Sequence, residues 1–296
     1  MFKHEVPEGG VSMLKDLLQK FHKPQAVQLP GYTALAVIRE GGASVVFKAR
    51  EQETGRIVAV KVHKPARRRP AEKAEAGGRH LTEGEIVSSL NHPNIVRCIS
   101  HGLLAGMPYL VLEYLEGTTL GLLMKAEGNR LEGHRLTIVR QAAAALAHVH
   151  GRGFIHHDFC PKNLFVTAGG LKLVDFALAT PLPDRPLTAH RVGTTEVTAP
   201  EVLRREPSDH RADVFAWGVV AYEVLSGQWP FEQADQHQTL TKILNVKPVP
   251  LERRVPDLPA DVSAVVMRCL EKDPMRRVSG MNAVVGVLDQ HRQVSI

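Results

Sequence analysis

The sequence predicts an α+β protein with two lobes, a small β-rich lobe followed by a larger helical one. Residues between Tyr32 and Val62 alternate between apolar and polar and are rich in β-branched side chains, which is typical of strands. After Gly117, apolar residues recur at three- and four-residue spacing, as in amphipathic helices. With 296 residues, of which 44% are hydrophobic, the chain can bury a substantial core.

The smaller lobe is expected to consist of strands and one helix. Gly41-Gly42 interrupts the alternating segment and predicts a tight turn, and a second turn at residues 53–56 leads into the strand at residues 57–61. A helix is predicted near residues 80–90, and residues 108–112 form a further buried strand.

The larger lobe is expected to be mainly helical. A stripe predicts a helix that ends near Gly151; its members are Leu136, Val139, Ala143, Leu146 and Val149. Short strands follow around Phe165 and at residues 171–174. Residues 213–225 are apolar on almost every face, which indicates a buried helix, and residues 262–270 form a later amphipathic one. A cleft between two such lobes is the expected ligand site.

We expect residues 1–30 to be an N-terminal extension with a short amphipathic helix over residues 13–21. The main domain then covers residues 31–293, with lobes at 31–115 and 116–293. No segment approaches the roughly 20 apolar residues of a membrane helix, and the first residues lack the apolar core of a signal peptide.

Charge and cysteine content exclude little. The formal net charge is +6, a mild excess that separates nucleotide, acidic-partner and nucleic-acid binding poorly. The run at residues 67–69 is interpreted as a solvated loop, so no nucleic-acid partner is expected. Cys98, Cys160 and Cys269 are widely spaced, which predicts neither disulfides nor a zinc site and favours a reducing cytoplasm. The oligomeric state stays open.

Two segments carry residues suited to phosphate chemistry. Glycines between strands, as at Gly41-Gly42, let backbone amides approach a phosphate, although alone they fit a hairpin turn better. Lys61 stands in an apolar strand, where an ammonium needs an anionic partner, and Glu83 or Glu85 is placed to supply one.

The second segment runs from His156 to Asn163, and Asp175-Phe176 follows twelve residues later. Two carboxylates, Asp158 and Asp175, and the Asn163 carboxamide are suited to binding a hard divalent cation. Either aspartate alone would equally fit a turn.

In their order and spacing these motifs resemble the eukaryotic-type protein kinase family over nearly all of residues 32–293. The matching segments are Gly41-Gly42, Val58-Ala59-Val60-Lys61, Glu83, His156-His157-Asp158 with Asn163, Asp175-Phe176-Ala177, Ala199-Pro200-Glu201, Asp213 and Arg277. The resemblance, which fits bacterial members too, implies the bilobal kinase fold and a transfer of phosphate from ATP, with Mg²⁺, to Ser or Thr hydroxyls of protein substrates.

The resemblance also implies roles for individual residues. Lys61 would bind the α- and β-phosphates and pair with Glu83, which is favoured over Glu85 by its spacing from His92. Asp158 would accept the proton of the acceptor hydroxyl. The residues expected around the nucleotide are Ile38, Gly41, Gly42, Ser44, Val46, Ala59, Lys61, Glu113, Leu115 and Phe165, with Asn163 and Asp175 as Mg²⁺ ligands. Glu201 would pair with Arg277 and brace the larger lobe.

Several positions depart from the family pattern. The three loop glycines correspond to Arg39, Gly41 and Ser44, so weaker nucleotide handling is expected. His157 replaces an arginine that usually receives a loop phosphate, so activity is expected not to require phosphorylation at residues 188, 194 or 195. Ala177 replaces a glycine.

Cys160 stands where Ser/Thr kinases carry a lysine, and a positive charge reappears at Lys162. Our hypothesis is that Lys162 supplies that charge to the γ-phosphate; the alternative is an exposed loop lysine. Lys162 favours tyrosine as acceptor, whereas Thr194, expected to hydrogen-bond to Asp158, favours Ser/Thr and is the stronger indication.

Three alternatives remain at this stage: a pseudokinase that binds nucleotide or a partner protein, a small-molecule kinase, and a nucleic-acid-binding module. An active enzyme is favoured over a pseudokinase because Lys61, Asp158, Asn163 and Asp175 are all present. The segment Ala199-Pro200-Glu201 and the helix that contains Asp213 argue against a small-molecule substrate, because in the resemblance they organise a platform for a protein substrate.

Overall fold

The computed structural model describes residues 29–64, 81–104, 106–126, 131–183, 187, 193–231 and 235–292. The predicted helix over residues 13–21, the arginines at 67–69 and Thr188 lie outside the described residues. The chain divides into two compact units. Among the described residues, the first unit comprises 29–64 and 98–114, and the second comprises 81–97 and 115–292.

The first unit is a five-stranded antiparallel sheet, in the order β1-β2-β3-β5-β4. Its strands are β1 (Tyr32–Glu40), β2 (Ser44–Glu51), β3 (Ile57–His63), β4 (Cys98–Leu104) and β5 (Met107–Glu113). The predicted strands of this region are therefore confirmed. The Gly41-Gly42 turn joins β1 to β2, as its position between two alternating segments predicts.

Alternation along β2 and β3 gives the sheet two different faces. One face forms a core whose β2 and β3 members are Val45, Phe47, Ala49, Val58, Val60 and Val62. The intervening residues, including Val46 and Lys61, which are cross-strand partners, lie on the opposite face. Lys61 is only 5% exposed.

The second unit contains eight helices among its described residues. They are α1 (Glu83–Ser88), α2 (Leu120–Ala126), α3 (Arg135–Gly151), α4 (Pro200–Leu203), α5 (Arg211–Ser226), α6 (Gln236–Asn245), α7 (Ala260–Cys269) and α8 (Met281–Asp289). The predicted helices near residues 80–90, 136–149, 213–225 and 262–270 are confirmed. Helix α5 is buried along most of its length, as its uniformly apolar sequence predicts.

Two small sheets complete this unit. β6 (Gly117–Thr119), β8 (Leu164–Thr167) and β9 (Gly170–Leu173) form one sheet in the order β6-β8-β9. β7 (Phe154–Ile155) pairs with β10 (Thr180–Pro181) in the other. These pairings hold both ends of the segment from His156 to Asn163.

Helix α1 belongs to the second unit. From the sequence we predicted that it would belong to the smaller lobe, because it lies between two strands of that lobe. Its physical ties explain the difference. The Glu83 carboxylate accepts a hydrogen bond from the Phe176 amide at 3.1 Å. In the loop that follows α1, the Val96 amide donates to the Leu173 carbonyl at 3.0 Å, and the Leu173 amide donates to the Asn94 carbonyl at 2.7 Å.

A buried ion pair braces the helical unit. Both Arg277 Nη atoms lie 2.6 Å from the two carboxylate oxygens of Glu201. Arg277 also donates to the Glu271 carbonyl at 2.7 Å and to the Arg211 carbonyl at 3.0 Å. The pair expected between Glu201 and Arg277 is therefore confirmed. Bidentate geometry and the additional carbonyl acceptors offset the cost of burying both charges.

The longest described helices are α3, with 17 residues, and α5, with 16. Neither they nor any other described helix has the length and apolar character needed to cross a bilayer.

Candidate active site

Asp213 of α5 holds the segment from His156 to Asn163, which we call the catalytic segment. The carboxylate of Asp213 accepts the backbone amides of His156 at 2.7 Å and His157 at 2.9 Å, and the His150 ring nitrogen Nε2 donates to it at 3.0 Å. Burial alone would raise the pKa of Asp213, but the hydrogen bond and positive charge of His150 outweigh it and lower the pKa well below its usual range. The backbone amides of the catalytic segment therefore donate to an ionised carboxylate.

Two residues of the site adopt left-handed backbone conformations. Among the described residues, the non-glycine residues with positive φ are His157 at 63°, Asp175 at 66° and Arg205 at 59°. Such conformations are uncommon for residues with a Cβ and cluster at functional sites. Ala177 is not among them, which explains how alanine is accommodated where the family has glycine.

The Asp158 carboxylate is held by several donors. Its Oδ1 accepts the Thr194 amide at 2.9 Å and the Thr194 hydroxyl at 2.8 Å, and its Oδ2 accepts the Asn163 amide nitrogen at 2.9 Å. The predicted contact between Thr194 and Asp158 is confirmed. These bonds fix both oxygens of the carboxylate in direction.

The orientation of the Asn163 side chain follows from its hydrogen bonds. Its Nδ2 donates both to the Asp158 carboxylate and to the Asp158 carbonyl, each at 2.9 Å, so the amide nitrogen faces Asp158. Its Oδ1 is buried and has no hydrogen-bond partner among the described residues. A buried carbonyl oxygen in this state fits a hard divalent cation.

Among the described residues, no cluster of three or more His, Cys, Asp or Glu side chains is arranged to hold a metal ion. A Mg²⁺ ion needs few protein ligands, because it keeps waters and binds phosphate oxygens. One carboxamide and one carboxylate are therefore enough protein ligands for such an ion.

Cys160 and Lys162 flank the carboxylate of Asp158. Lys162 Nζ lies 3.7 Å from Oδ2 and its side chain is 52% exposed. The Cys160 thiol lies 3.8 Å from Oδ1, and burial raises its pKa to about 11, so it remains neutral. Lys162 is therefore a cation beside Asp158, and Cys160 is not.

Two glutamates of α1 have separate contacts. Glu83 accepts the Phe176 amide at 3.1 Å. Glu85 completes a capping box with Thr82, whose backbone amide donates to the Glu85 carboxylate at 2.8 Å. Phe176 is buried and meets the His156 ring edge-to-face at 4.8 Å, so the Asp175-Phe176 segment packs against the catalytic segment.

Most of the residues expected around the nucleotide lie in the first unit. Those on the face of β2 and β3 opposite the core are Ser44, Val46, Ala59 and Lys61. Gly41 and Gly42 form the exposed turn, where the Gly41 amide donates to the Ser44 carbonyl at 2.9 Å. Ile38 is 47% exposed on β1, and Glu113 ends β5. Leu115 and Phe165, both half-buried, belong to the second unit.

Two residues that support the site were missed as site residues by sequence reasoning. A Cβ at Gly193 would lie 2.5 Å from Asp158 Oδ1 and 2.9 Å from the His157 carbonyl oxygen, so only glycine fits there. Asp213 was noted as part of a motif whose helix was expected to help organise a protein-substrate platform, but its support of the catalytic segment was not predicted. The sequence contained a signal for this role of Asp213, because an aspartate within an apolar helix needs buried hydrogen-bond donors.

A small cavity of about 30 Å³ lies between the catalytic segment, the segment at residues 193–199 and α5. Polar groups from His157, Asp213 and Thr194 line it, together with apolar side chains such as Phe159 and Val197. Its volume is that of about one water molecule.

Fold and site together define a class of protein: an α+β chain of two units in which an aspartate is positioned beside a carboxamide and a lysine. The protein kinase domain family matches residues 32–287, and the chain belongs to this family. The resemblance found in the sequence is confirmed.

Bacterial serine/threonine-protein kinases are among the curated relatives of this chain. The chain is 34% identical over 246 residues to the serine/threonine-protein kinase PknB of Mycobacterium tuberculosis, covering 80% of this chain and 39% of the relative. It is 32% identical over 266 residues to the serine/threonine-protein kinase pkn3 of Myxococcus xanthus, covering 85% and 48% respectively. For the serine/threonine-protein kinase PrkC of Bacillus subtilis the identity is 31% over 249 residues, covering 83% and 38%. The chain thus spans less than half the length of these relatives.

Proposed function

We propose that this chain is a protein kinase that transfers the γ-phosphate of ATP to Ser or Thr hydroxyls of protein substrates. The observation that carries the proposal is the Asp158 carboxylate, with Thr194 bonded to Oδ1 and Asn163 to Oδ2. The serine/threonine-protein kinases among the relatives support this acceptor class.

In this proposal Asp158 acts as the base. It orients the acceptor hydroxyl and takes its proton, while Thr194 and Asn163 hold the carboxylate so that little reorganisation is needed during transfer. The role of Lys61 is to bind the α- and β-phosphates. Lys162 provides positive charge toward the γ-phosphate, since the neutral Cys160 cannot.

The metal in this proposal is Mg²⁺, held by Asn163 Oδ1 and the Asp175 carboxylate. The unpartnered oxygen of Asn163 supports this assignment. When bound, the ion supplies charge neutralisation to the phosphates.

Nucleotide binding is assigned to both units. In the first unit, the residues assigned to it are Ile38, Gly41, Gly42, Ser44, Val46, Ala59, Lys61 and Glu113; in the second they are Leu115 and Phe165. Their placement on one face of β2 and β3, opposite the core, supports the assignment for Ser44, Val46, Ala59 and Lys61. We also propose that residues 31–293 form the kinase domain after an extension at residues 1–30, and that the domain works in the cytoplasm, where ATP is supplied.

The test is phosphotransfer from Mg·ATP to a generic Ser/Thr protein, with wild type, Asp158→Asn and Lys61→Met purified in parallel. We expect transfer by wild type, and a loss of at least about a thousandfold in both variants. Equal signal from all three proteins would indicate a contaminating kinase and refute the proposal. Nucleotide binding measured on the same samples separates lost chemistry from lost folding.

A further inference from the structure

A hydrogen bond joins the catalytic segment to the strand that follows Asp175. The Nε2 atom of His157 lies 2.8 Å from the hydroxyl of Thr180. Thr180 begins β10, and its partner in the β7–β10 ladder is Ile155, two residues before His157. The side-chain bond therefore extends this two-residue ladder to the residue that immediately precedes Asp158.

His157 has an unusual backbone that needs support. Its φ of 63° is left-handed, its amide donates to Asp213 at 2.9 Å, and its ring is bonded to Thr180. His157 is thus held through its backbone amide on one side and through its ring on the other. Its carbonyl oxygen, together with Asp158 Oδ1, also defines the space at Gly193.

His157 borders a small cavity. The cavity of about 30 Å³ beside residues 193–199 is lined by His157 together with Asp213, Phe159 and Thr194. A space of this volume can admit a water molecule when the hydrogen bond to Thr180 is removed. Such a change alters the constraint on the turn that aims Asp158.

We propose that Thr180 is a positioning residue, which acts through His157 to hold the left-handed turn before Asp158. The proposal rests on the proposed kinase activity. A threonine hydroxyl both donates and accepts, and either ring nitrogen of histidine can do one or the other, so the bond forms with either tautomer of His157. In the protein kinase family an arginine at this position usually binds a phosphate. In this chain His157 instead forms a hydrogen bond with the unmodified side chain of Thr180.

The first test removes only the hydroxyl. Thr180→Val keeps the shape of the side chain, and we expect kcat to fall about fivefold, the usual effect of one lost hydrogen bond. The KM values for ATP and for a peptide should stay unchanged, because the proposed role of Thr180 is to hold the turn before Asp158 and not to bind a substrate. Thr180→Ser should restore kcat. Thr241→Val is the matched control, since its hydroxyl also makes a hydrogen bond, to the His237 carbonyl at 3.0 Å in α6.

A double-mutant cycle then tests whether Thr180 acts through His157. In a His157→Phe background, which keeps a ring but no nitrogen, Thr180→Val should cause no further loss of kcat. A further fivefold loss, or a kcat within about 1.5-fold of wild type in Thr180→Val alone, would overturn the proposal.

A spectroscopic measurement separates this inference from the proposed function. In protein labelled with ¹⁵N-histidine, the Nε2 resonance of His157 should move in Thr180→Val and return in Thr180→Ser. If wild type transfers no phosphate, the proposed function fails. If the Nε2 resonance stays unchanged in Thr180→Val, the hydrogen bond between His157 and Thr180 is refuted.

Discussion

Gly193 and Gly42 lie in two regions that differ in the space they leave for a side chain. A Cβ at Gly193 would meet Asp158 Oδ1 at 2.5 Å, whereas a Cβ at Gly42 would meet nothing within 4 Å. Gly193 stands against a carboxylate whose two oxygens are both bonded, and Gly42 stands in an exposed turn. The comparison shows that glycine in this protein is a steric requirement at the catalytic segment, and no steric requirement at the first-unit turn.

The largest effect should come from the support beneath the catalytic segment. Asp213→Asn replaces one carboxylate oxygen by an amide nitrogen, which faces one of the two backbone donors, and removes the negative charge. We expect the free energy of unfolding to fall by about 3 kcal/mol. Urea denaturation measures this change. Asp209→Asn is the control, because Asp209 is partly exposed and its contacts with Arg211 are local. An equal loss in both variants would contradict a special role for Asp213.

Gly193→Ala should come next. The added methyl must displace the Asp158 carboxylate, and a shift of this kind costs about a hundredfold in kcat. Steady-state kinetics measures the loss, with nucleotide affinity as the control for folding. A kcat within about threefold of wild type would show that the carboxylate tolerates displacement.

Lys162→Ala should lower kcat about tenfold if the side chain supplies charge to the γ-phosphate, about 1.4 kcal/mol of barrier. Lys162→Arg keeps the charge and should retain most of the rate. The pair of variants is compared at saturating ATP. A change below about twofold in Lys162→Ala would leave Lys162 as an exposed lysine without a catalytic role.

Acid should destabilise the helical unit. Burial lowers the pKa of His156, and burial together with the nearby charge of His148 lowers that of His92. Each binds its proton less readily when folded, so the free energy of unfolding is fully retained above the unfolded pKa of about 6.5 and falls as the pH drops below it. Urea unfolding at pH 7.5 and 5.5 tests this direction.

His148→Gln is the informative variant for the pH dependence. The pKa of His148 is itself lowered by burial, and its ring lies 5.1 Å from that of His92. Removing it should flatten the acid slope. A slope unchanged from wild type would assign the acid sensitivity to other groups.

The smallest effect is expected at Gly42→Ala. The methyl enters open space, so kcat and the KM for ATP should stay within about twofold of wild type. A tenfold rise in KM would show that this turn requires glycine for close approach to the nucleotide, which would remove the difference from Gly193 drawn above.

Short sequence motifs predicted much of the fold and of the site. The alternating segments predicted β1, β2 and β3, and the motif at residues 156–163 brought Asp158 and Asn163 together because they are five residues apart. The short strands β7 and β10 were missed, since two residues carry no periodicity and exist as strands only through each other.

Contacts between distant residues were harder to predict. Thr194 reaches Asp158 across 36 positions, and it was predicted only through family resemblance. Asp213 supports His157 across 56 positions, and Thr180 reaches it across 23; neither role was predicted. Such contacts depend on how α5 and β10 pack beneath the segment, which no local pattern encodes.

The buried pair of Glu201 and Arg277 has a consequence for how the protein responds to electrolytes. Dissolved ions weaken the attraction between Asp158 and the exposed charge of Lys162 at 3.7 Å. They have little access to the pair of Glu201 and Arg277, whose side chains are 2% and 0% exposed. Rising sodium chloride should therefore slow phosphotransfer well before it lowers the melting temperature. Ionic strength is then a reversible means of weakening turnover in a protein that stays folded.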